Sequence, residues 1–150
     1  RLARAYQQSI GGTSRGGGSD SAWVYPTKKL FGGARNVEGG GSLTIVGTLA
    51  LDTGMRLDDV VANELSGTAT MELRLSQDAA ASRLFPAVDL RHSATRKDDQ
   101  LLSADEVRAS ADIRQGVGAM DSLAGLQSVL EGMKSTASNV EFLVAMPKKF

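Results

Sequence analysis

The longest mainly apolar stretch of the chain runs from Leu43 to Leu51 and is rich in β-branched residues. Both of its faces are apolar, which is typical of a strand buried on both sides in a parallel sheet. A polar connection over 52–56 follows, and the pattern of residues 57–65 predicts a helix that ends at Gly67. This part of the chain therefore predicts a strand, a tight loop and a helix.

Further predicted elements alternate between strand and helix. Trp23–Tyr25 is expected to be extended because a proline follows it. The remaining predictions are a helix over residues 28–37, strands over 71–75 and 84–88, and a short helical link over 77–82. Such alternation around a buried strand favours an α/β fold with a partly parallel sheet.

The last third of the chain has helical signals. Ser103 and Glu106 have the spacing of a capping box, which marks a helix start. Four apolar residues then recur at helical spacing, and we expect them to pack in a core: Leu123, Leu126, Leu130 and Met133. A final short helix or strand is expected over 139–146. At the other end, residues 1–6 are typical of a helix already under way, so we expect the chain to begin inside a domain.

Glycine is distributed unevenly along the chain. Twelve of the 17 glycines lie between Gly11 and Gly54, and the run from Gly11 to Asp20 contains no apolar residue. Such a run cannot be ordered by burial, so it predicts a mobile surface loop. Two interpretations stay open: a flexible linker, or a loop whose backbone N–H groups approach a ligand closely.

Composition narrows the class of protein. The 150 residues are enough for one domain, and 17 basic residues balance 17 acidic ones. This neutrality argues against a broad basic surface for nucleic acid, although it leaves room for a small basic patch. The chain has no cysteine, which excludes disulfides, thiolate metal sites and cysteine nucleophiles. The nine-residue apolar stretch is shorter than the roughly 20 residues of a membrane span.

Few residues carry an obvious chemistry. The sequence lacks a G-x-x-x-x-G-K-[ST] phosphate loop and a G-x-S-x-G nucleophile motif, and no His/Cys cluster predicts a metal site. The one histidine, His92, is interpreted as a surface residue in a charged loop or as a catalyst. Residues 83–97 carry four basic side chains and one acidic. This segment is either a solvated face with local ion pairs or the site of an arginine that binds an anion.

Seven short strings occur in a recognisable order. They are RLARAY at 1–6, FGGARNVE at 31–38, GGSLTI at 40–45, DTG at 52–54, MELRLS at 71–76, RLFPAVD at 83–89 and TRK at 95–97. Together they resemble the C-terminal part of the ATPase domain of bacterial transcription termination factor Rho. The resemblance runs from residue 1 to about residue 102, and residues 139–143 extend it more loosely into the helical end.

The resemblance implies a fold and a function. Residues 1–102 would be the C-terminal half of a RecA-type P-loop ATPase domain, with a mostly parallel sheet and flanking helices. Residues 103–150 would be a helical subdomain. The chain would be part of a hexameric, ATP-dependent RNA translocase or helicase that terminates transcription in the cytoplasm. Implied partners are single-stranded RNA, identical subunits and RNA polymerase, with no membrane, and the implied cofactors are ATP and Mg²⁺.

The resemblance also implies site residues. Arg96 matches an arginine finger that acts on a neighbouring subunit, Arg83 matches another interface arginine, and Phe85 matches an aromatic residue that packs on adenine. Segments 11–20 and 52–58 match loops that contact RNA in the central pore. The RNA-contacting residues within them are Ser14, Arg15, Gly17, Gly18, Thr53, Gly54 and Arg56. The chain departs from the family pattern at Gln77, where a basic residue is common, and at Thr70 and Ala94.

Two other hypotheses stay open beside this one. The family's phosphate loop, catalytic glutamate and metal-binding aspartate have no counterpart in these 150 residues, so the chain should not hydrolyse ATP by itself. The alternative is a free-standing, non-catalytic interaction domain that binds or poisons a Rho-type ring. A third interpretation is an unrelated α/β scaffold with a flexible linker.

Overall fold

The computed structural model describes Ala5 and residues 24–149, apart from the side chains of residues 56, 57, 148 and 149. The chain forms two compact units, residues 1–69 and residues 70–150. The predicted helix over 1–6 and the predicted glycine loop over 11–20 lie outside the described residues, except that Ala5 is helical. The domain division predicted after residue 102 stays a prediction.

Over residues 24–69, the first unit contains the helices α1 (Val24–Phe31) and α2 (Arg56–Ser66), which pack against each other. Val24 and Leu65 are buried. The short extended piece predicted over Trp23–Tyr25 is wrong for Val24 and Tyr25, which are the first two residues of α1. Pro26 lies in the first turn of the helix, where its missing N–H would have no intrahelical partner in any case. Helix α2 lies where the sequence predicts it.

A short hairpin follows α1. Its strands are β1 (Arg35–Asn36) and β2 (Ser42–Leu43), which pair antiparallel. Gly39 in the turn has φ +69°, a conformation that glycine adopts without strain. The hairpin replaces the end of the predicted helix over 28–37, since that helix ends at Phe31 before two glycines.

The long buried strand predicted over Leu43–Leu51 is wrong beyond Leu43. Residues 44–51 have no regular structure, and the side chain of Val46 is 88% exposed. A strand exists only where another strand satisfies its backbone hydrogen bonds, and among the described residues no strand pairs with residues 44–51. Those residues contain two small antiparallel sheets with several helices.

The second unit starts with extended chain. Strand β3 (Met71–Glu72) pairs antiparallel with β4 (Ala94–Thr95), and helix α3 (Gln77–Ala81) lies between them in sequence. Strand β3 is shorter than the predicted strand over 71–75. The strand predicted over 84–88 is reduced to one bridge between Leu75 and Val88. Pro86 explains the interruption because it has no N–H to donate to a ladder.

The rest of the second unit is helical, as predicted. A 3-10 turn at Asp98–Gln100 leads into three α-helices and a final 3-10 turn. They are α4 (Ala104–Ala119), α5 (Ser122–Lys134), α6 (Asn139–Ala145) and the turn Met146–Lys149. The predicted capping box is present: the Oγ of Ser103 accepts from Glu106 N, and the Glu106 carboxylate accepts from Ser103 N at 2.8 Å.

The helices of the second unit enclose an apolar core. Its buried side chains come from α4, α5, α6 and the final turn, and they are Ile113, Val117, Val129, Phe142 and Met146. Glycines let the helices approach closely, since a Cβ added to Gly125 would lie 2.9 Å from Val117 Cγ1. Met133, a predicted core residue, is 54% exposed. Among the described helices, none is long and apolar enough to cross a membrane.

Candidate functional site

One extended segment, residues 70–76, supports two later parts of the chain. Near its start, the carbonyl of Thr70 accepts from Arg96 N at 2.8 Å. Near its end, the carbonyl of Arg74 accepts from Asp89 N at 2.8 Å, and Ser76 N donates to Ala87 O at 2.9 Å. Residues 87–89 and 94–96 therefore lie against the same backbone.

Arg96 directly follows β4 and is exposed. Its backbone is fixed on one side by the pairing of Thr95 with Met71 and by its own hydrogen bond to Thr70. On the other side, Lys97 has the left-handed φ of 51°, which turns the chain into the 3-10 helix. An exposed guanidinium on a fixed backbone is suited to an anion that arrives from outside the unit.

Arg83 and Phe85 lie just beyond the C-terminal end of α3. The chain reverses there because Leu84 N donates to Ala79 O at 2.9 Å and Arg83 adopts a φ of 58°. The Arg83 side chain is exposed, and Phe85 is 62% exposed. A tight helix end thus presents an aromatic ring and a guanidinium to the outside of this unit.

A tight turn begins at Asp89, whose carboxylate accepts three hydrogen bonds. The donors are the His92 ring nitrogen Nδ1 at 2.7 Å and the backbone N–H groups of Arg91 at 2.9 Å and His92 at 3.1 Å. Burial by itself would raise the pKa of Asp89, but the hydrogen bonds from His92 and Arg91 outweigh it and lower that pKa. The largely exposed His92 therefore holds the turn, in agreement with the surface interpretation.

Two arginines that the sequence did not single out connect this turn to α4. The Arg91 Nη2 donates to Met120 O and, at 3.3 Å, to Gly118 O at the C-terminal end of the helix. The Arg114 Nη1 donates to Ser93 O at 2.8 Å. These contacts join residues that are 21 to 29 positions apart, so no local pattern in the sequence predicts them.

The loop over residues 52–58 belongs to the first unit. Asp52 and Gly54 have left-handed φ angles of 56° and 72°. The hydroxyl of Thr53 donates to Asp58 Oδ2 at 2.7 Å and accepts from Met55 N at 3.2 Å. These bonds fix the turn that leads into α2. The backbone of Arg56 begins that helix, and its side chain lies outside the description.

The other predicted RNA-contacting residues, Ser14, Arg15, Gly17 and Gly18, also lie outside the described residues. Within the part that is described, no three histidine, aspartate or glutamate side chains are grouped so as to hold a metal ion. The structure therefore brings Arg83, Phe85 and Arg96 into one unit, and it places Thr53 and Gly54 in the other.

Comparison with known proteins identifies relatives across the whole chain. No family model matches the chain. A protein of Micrococcus luteus is 45% identical over 150 residues, which is 99% of this chain and 22% of that protein. A Borreliella burgdorferi protein is 43% identical over 97% of this chain and 29% of its own length. A Haemophilus influenzae protein is 40% identical over 99% of this chain and 36% of its own length.

These relatives are transcription termination factors. Each of the three is named transcription termination factor Rho. The resemblance found in the sequence is therefore confirmed, and it extends through the helical end as well as through residues 1–102. The chain spans between 22% and 36% of the length of these curated relatives, so it corresponds to a part of them.

Proposed function

We propose that the chain is the part of an RNA-dependent ATPase that supplies an arginine finger and RNA-contacting loops for transcription termination. The observation that carries the proposal is the match to transcription termination factor Rho over 99% of the chain at 45% identity. The working assembly is a cytoplasmic ring of six identical subunits that moves along single-stranded RNA and acts on transcribing RNA polymerase.

The fold of the complete subunit follows from this proposal. Residues 1–102 form the C-terminal half of a RecA-type ATPase domain, and residues 103–150 form its helical subdomain. Residues 44–51 are apolar on both faces and exposed except for the half-buried Ile45, which suits a strand that pairs with neighbouring strands in a larger, mostly parallel sheet. Those strands come from polypeptide beyond this chain, since the relatives are about three to five times longer.

Arg96 is the proposed arginine finger. Its guanidinium is exposed, while hydrogen bonding and strand pairing fix its backbone. A finger stabilises the charge that develops on the transferring γ-phosphoryl group, and in other nucleotide hydrolases it contributes about 10³–10⁵ to kcat. In the ring, Arg96 would serve the nucleotide bound by the neighbouring subunit.

Phe85 and Arg83 are the proposed nucleotide contacts of the subunit. The exposed ring of Phe85 offers a flat apolar face for an adenine base, and stacking of this kind is favourable for aromatic pairs. Arg83 lies two residues away, with an exposed guanidinium suited to phosphate. Both side chains therefore fit ATP. The nucleotide would bind as its Mg²⁺ complex and would supply the phosphoryl group for hydrolysis. The phosphate loop that holds most of ATP belongs to other parts of the subunit.

The loop over 52–58 is one of two proposed RNA contacts, and the glycine-rich segment 11–20 is the other. Thr53 and Gly54 form an exposed turn, and Arg56 follows at the start of α2. Six copies of such loops around a pore would hold the phosphate backbone of RNA and read no sequence. The loop carries two acidic side chains, Asp52 and Asp58, and one basic side chain, so Arg56 alone supplies its positive charge for phosphate.

RNA-stimulated ATPase activity of the full-length protein tests the proposal. Arg96→Ala should lower kcat by about 10³–10⁵ and leave RNA affinity unchanged. The matched control is Arg108→Ala, because Arg108 is also exposed and, in the part of the chain that the structure describes, its side chain bonds only within its own helix, to Asp105 and Ala104. An Arg96→Ala enzyme with the parent kcat contradicts the finger assignment.

Subunit mixing tests whether the finger acts between subunits. Arg96→Ala subunits are mixed with subunits whose phosphate-loop lysine is replaced. Each population is inactive by itself, whereas mixed rings contain interfaces with an intact finger on one side and an intact phosphate loop on the other. Recovery of ATPase activity on mixing is expected, and its absence shows that Arg96 does not act on a neighbour.

A further inference from the structure

Residues 93–97 carry Arg96 and are here called the finger segment; hydrogen bonds to other parts of the second unit hold them. Strand β4 has two residues, Ala94 and Thr95, and among the described residues its one partner strand is β3. Isolated two-stranded ribbons are marginally stable in water. The position of Arg96 therefore depends on how the chain is held just before β4 and just after it.

Just after β4, the hydrogen bond from Arg96 N to Thr70 O holds the chain. Just before β4, the chain is held by Ser93. Its hydroxyl accepts from Arg74 N at 2.9 Å and donates to Asp89 O at 2.6 Å, so the side chain joins the turn to the extended segment. Its carbonyl is the acceptor for Arg114 Nη1 at 2.8 Å.

The backbone of Arg114 is held in place by its neighbours on α4, while its side chain is exposed. Arg114 lies on α4 between Ile113 and Val117, which are both buried in the helical core. The core fixes the backbone of α4 at this point, and the guanidinium extends from it to Ser93. A hydrogen bond from a charged donor is stronger than one between neutral groups. The finger segment is thus attached to a helix whose buried face forms part of the apolar core of the unit.

A second attachment lies on the same helix. Leu90 packs against the core, and the guanidinium of Arg91 donates to Gly118 O and Met120 O at the C-terminal end of α4. A cation is favourable at that end because the helix dipole is negative there. The turn that precedes β4 is therefore bound to α4 at two places about one helix turn apart.

We propose that Arg114 is a positioning residue for the proposed finger: its hydrogen bond to Ser93 O fixes the chain that carries Arg96 on helix α4. This inference rests on the proposed function, since it needs Arg96 to act on the nucleotide. It assigns the helical part of the chain a role in catalysis that its core packing would not require. Arg91 supports the same attachment from the other side of the turn.

The test uses the full-length protein and measures kcat, KM for ATP and RNA affinity. Arg114→Gln should lower kcat by about tenfold, because displacing a catalytic group by about 1 Å can cost up to about 100-fold. KM and RNA affinity should stay at the parent values, since a finger acts in the transition state. Arg114→Lys keeps a charged donor and should recover most of the rate.

The matched control is Arg108→Gln, which removes an exposed arginine of the same helix that has no hydrogen bond to the finger segment among the described residues. This variant should keep the parent kcat. The double variant Arg96→Ala with Arg114→Gln should be no slower than Arg96→Ala, because Arg114 acts only through the finger. A purely structural loss would instead reduce the rate in both backgrounds.

The outcomes separate the two proposals. If Arg96→Ala keeps the parent kcat, the proposed function fails, and the inference fails with it. If Arg96→Ala loses activity while Arg114→Gln keeps the parent kcat, only the inference fails. Additive losses in the double variant, or no recovery in Arg114→Lys, also overturn it. If Arg114→Gln does not fold, the Arg114→Lys variant and its KM and kcat decide the question.

Discussion

The Nδ1 atom of His92 lies 2.7 Å from the Oδ2 atom of Asp89, three residues earlier in the chain. The histidine thereby closes the turn that precedes β4, and its ring supplements two backbone N–H donors to the same carboxylate. The pKa of Asp89 lies below its ordinary value because these hydrogen bonds outweigh the effect of burial, which acts in the opposite direction.

Replacement of Asp89 tests this turn. A carboxyl whose pKa is lowered by folding stabilises the protein above its unfolded pKa, and the contribution is lost as the pH falls through the folded value. Asp89→Asn should lower the free energy of unfolding by about 1 kcal/mol near pH 7, after allowance for solvent screening. Urea unfolding at two pH values should show this difference shrinking below about pH 4.

The control for that experiment is Asp105→Asn. Asp105 is an exposed aspartate of the same unit, and among the described residues its carboxylate accepts only from Arg108 on its own helix. Its replacement should change stability by less than about 0.5 kcal/mol at either pH. A difference for Asp89→Asn that stays constant or grows in acid would show that the carboxylate does not hold the turn.

Ser103 starts helix α4, and its loss should weaken that start. Ser103→Ala removes the hydroxyl that accepts from Glu106 N, and it should cost about 1 kcal/mol of stability. Ser103→Thr, which keeps a hydroxyl, is the matched variant. Thermal unfolding that is the same for Ser103→Ala and Ser103→Thr contradicts the capping assignment.

The capping box should also weaken in acid. The backbone N–H and the hydroxyl of Ser103 lower the pKa of Glu106, so the box stabilises α4 above the ordinary pKa of glutamate and loses this effect as Glu106 is protonated. Glu106→Gln should therefore be less stable than the parent at neutral pH and should approach it in acid. Thermal unfolding measured at both pH values checks this, and a parallel pH dependence for the two proteins would sink it.

Gly132 should not tolerate a side chain. A Cβ added there would overlap the Sδ atom of Met146 and lie 3.1 Å from Phe142 Cε2, so Gly132→Ala should cost about 1–3 kcal/mol through overpacking. Gly118→Ala is the matched control in α4, because nothing lies within 4 Å of an added Cβ there. That control should stabilise the helix by about 0.5–1 kcal/mol. Denaturant midpoints of the two variants should therefore move in opposite directions.

Arg56 should contribute to RNA binding through charge. In the full-length protein, Arg56→Ala should weaken RNA binding and make the affinity fall less steeply as the salt concentration rises. The reason is that binding with fewer phosphate contacts releases fewer counterions from the RNA. Arg35→Ala is the control, since Arg35 lies in the hairpin and donates to Gly32 O. An unchanged salt dependence for Arg56→Ala would show that this loop does not contact the phosphate backbone.

The elements that the sequence predicted well are those with local causes. The start of α4 depends on Ser103 and Glu106, three residues apart, and the start of α3 depends on the hydroxyl of Ser76 and Ala79 N. Helix α2 ends where Gly67 follows it. Capping and hydrophobic periodicity involve residues within one or two turns of a helix, so they can be recognised in the sequence.

The predictions that were wrong or missing concern features that depend on distant parts of the chain. Residues 44–51 have the composition of a strand, but a strand also needs a neighbour, and composition does not supply one. The attachment of the finger segment to α4 likewise joins Ser93 to Arg114 across 21 residues. The roles proposed for Arg96 and Phe85 rest on resemblance to a family, because an exposed arginine and an exposed phenylalanine have no local signal of their own.

The complete burial of Met146 provides a built-in chemical reporter. Its exposed fraction is 0%, whereas Met71 and Met133 of the same unit are 58% and 54% exposed. Oxidation by peroxide should therefore convert the two exposed thioethers to sulfoxides at once, while Met146 should react only when the helices separate. The rate at which Met146 becomes oxidised in the native protein thus measures how often this unit opens.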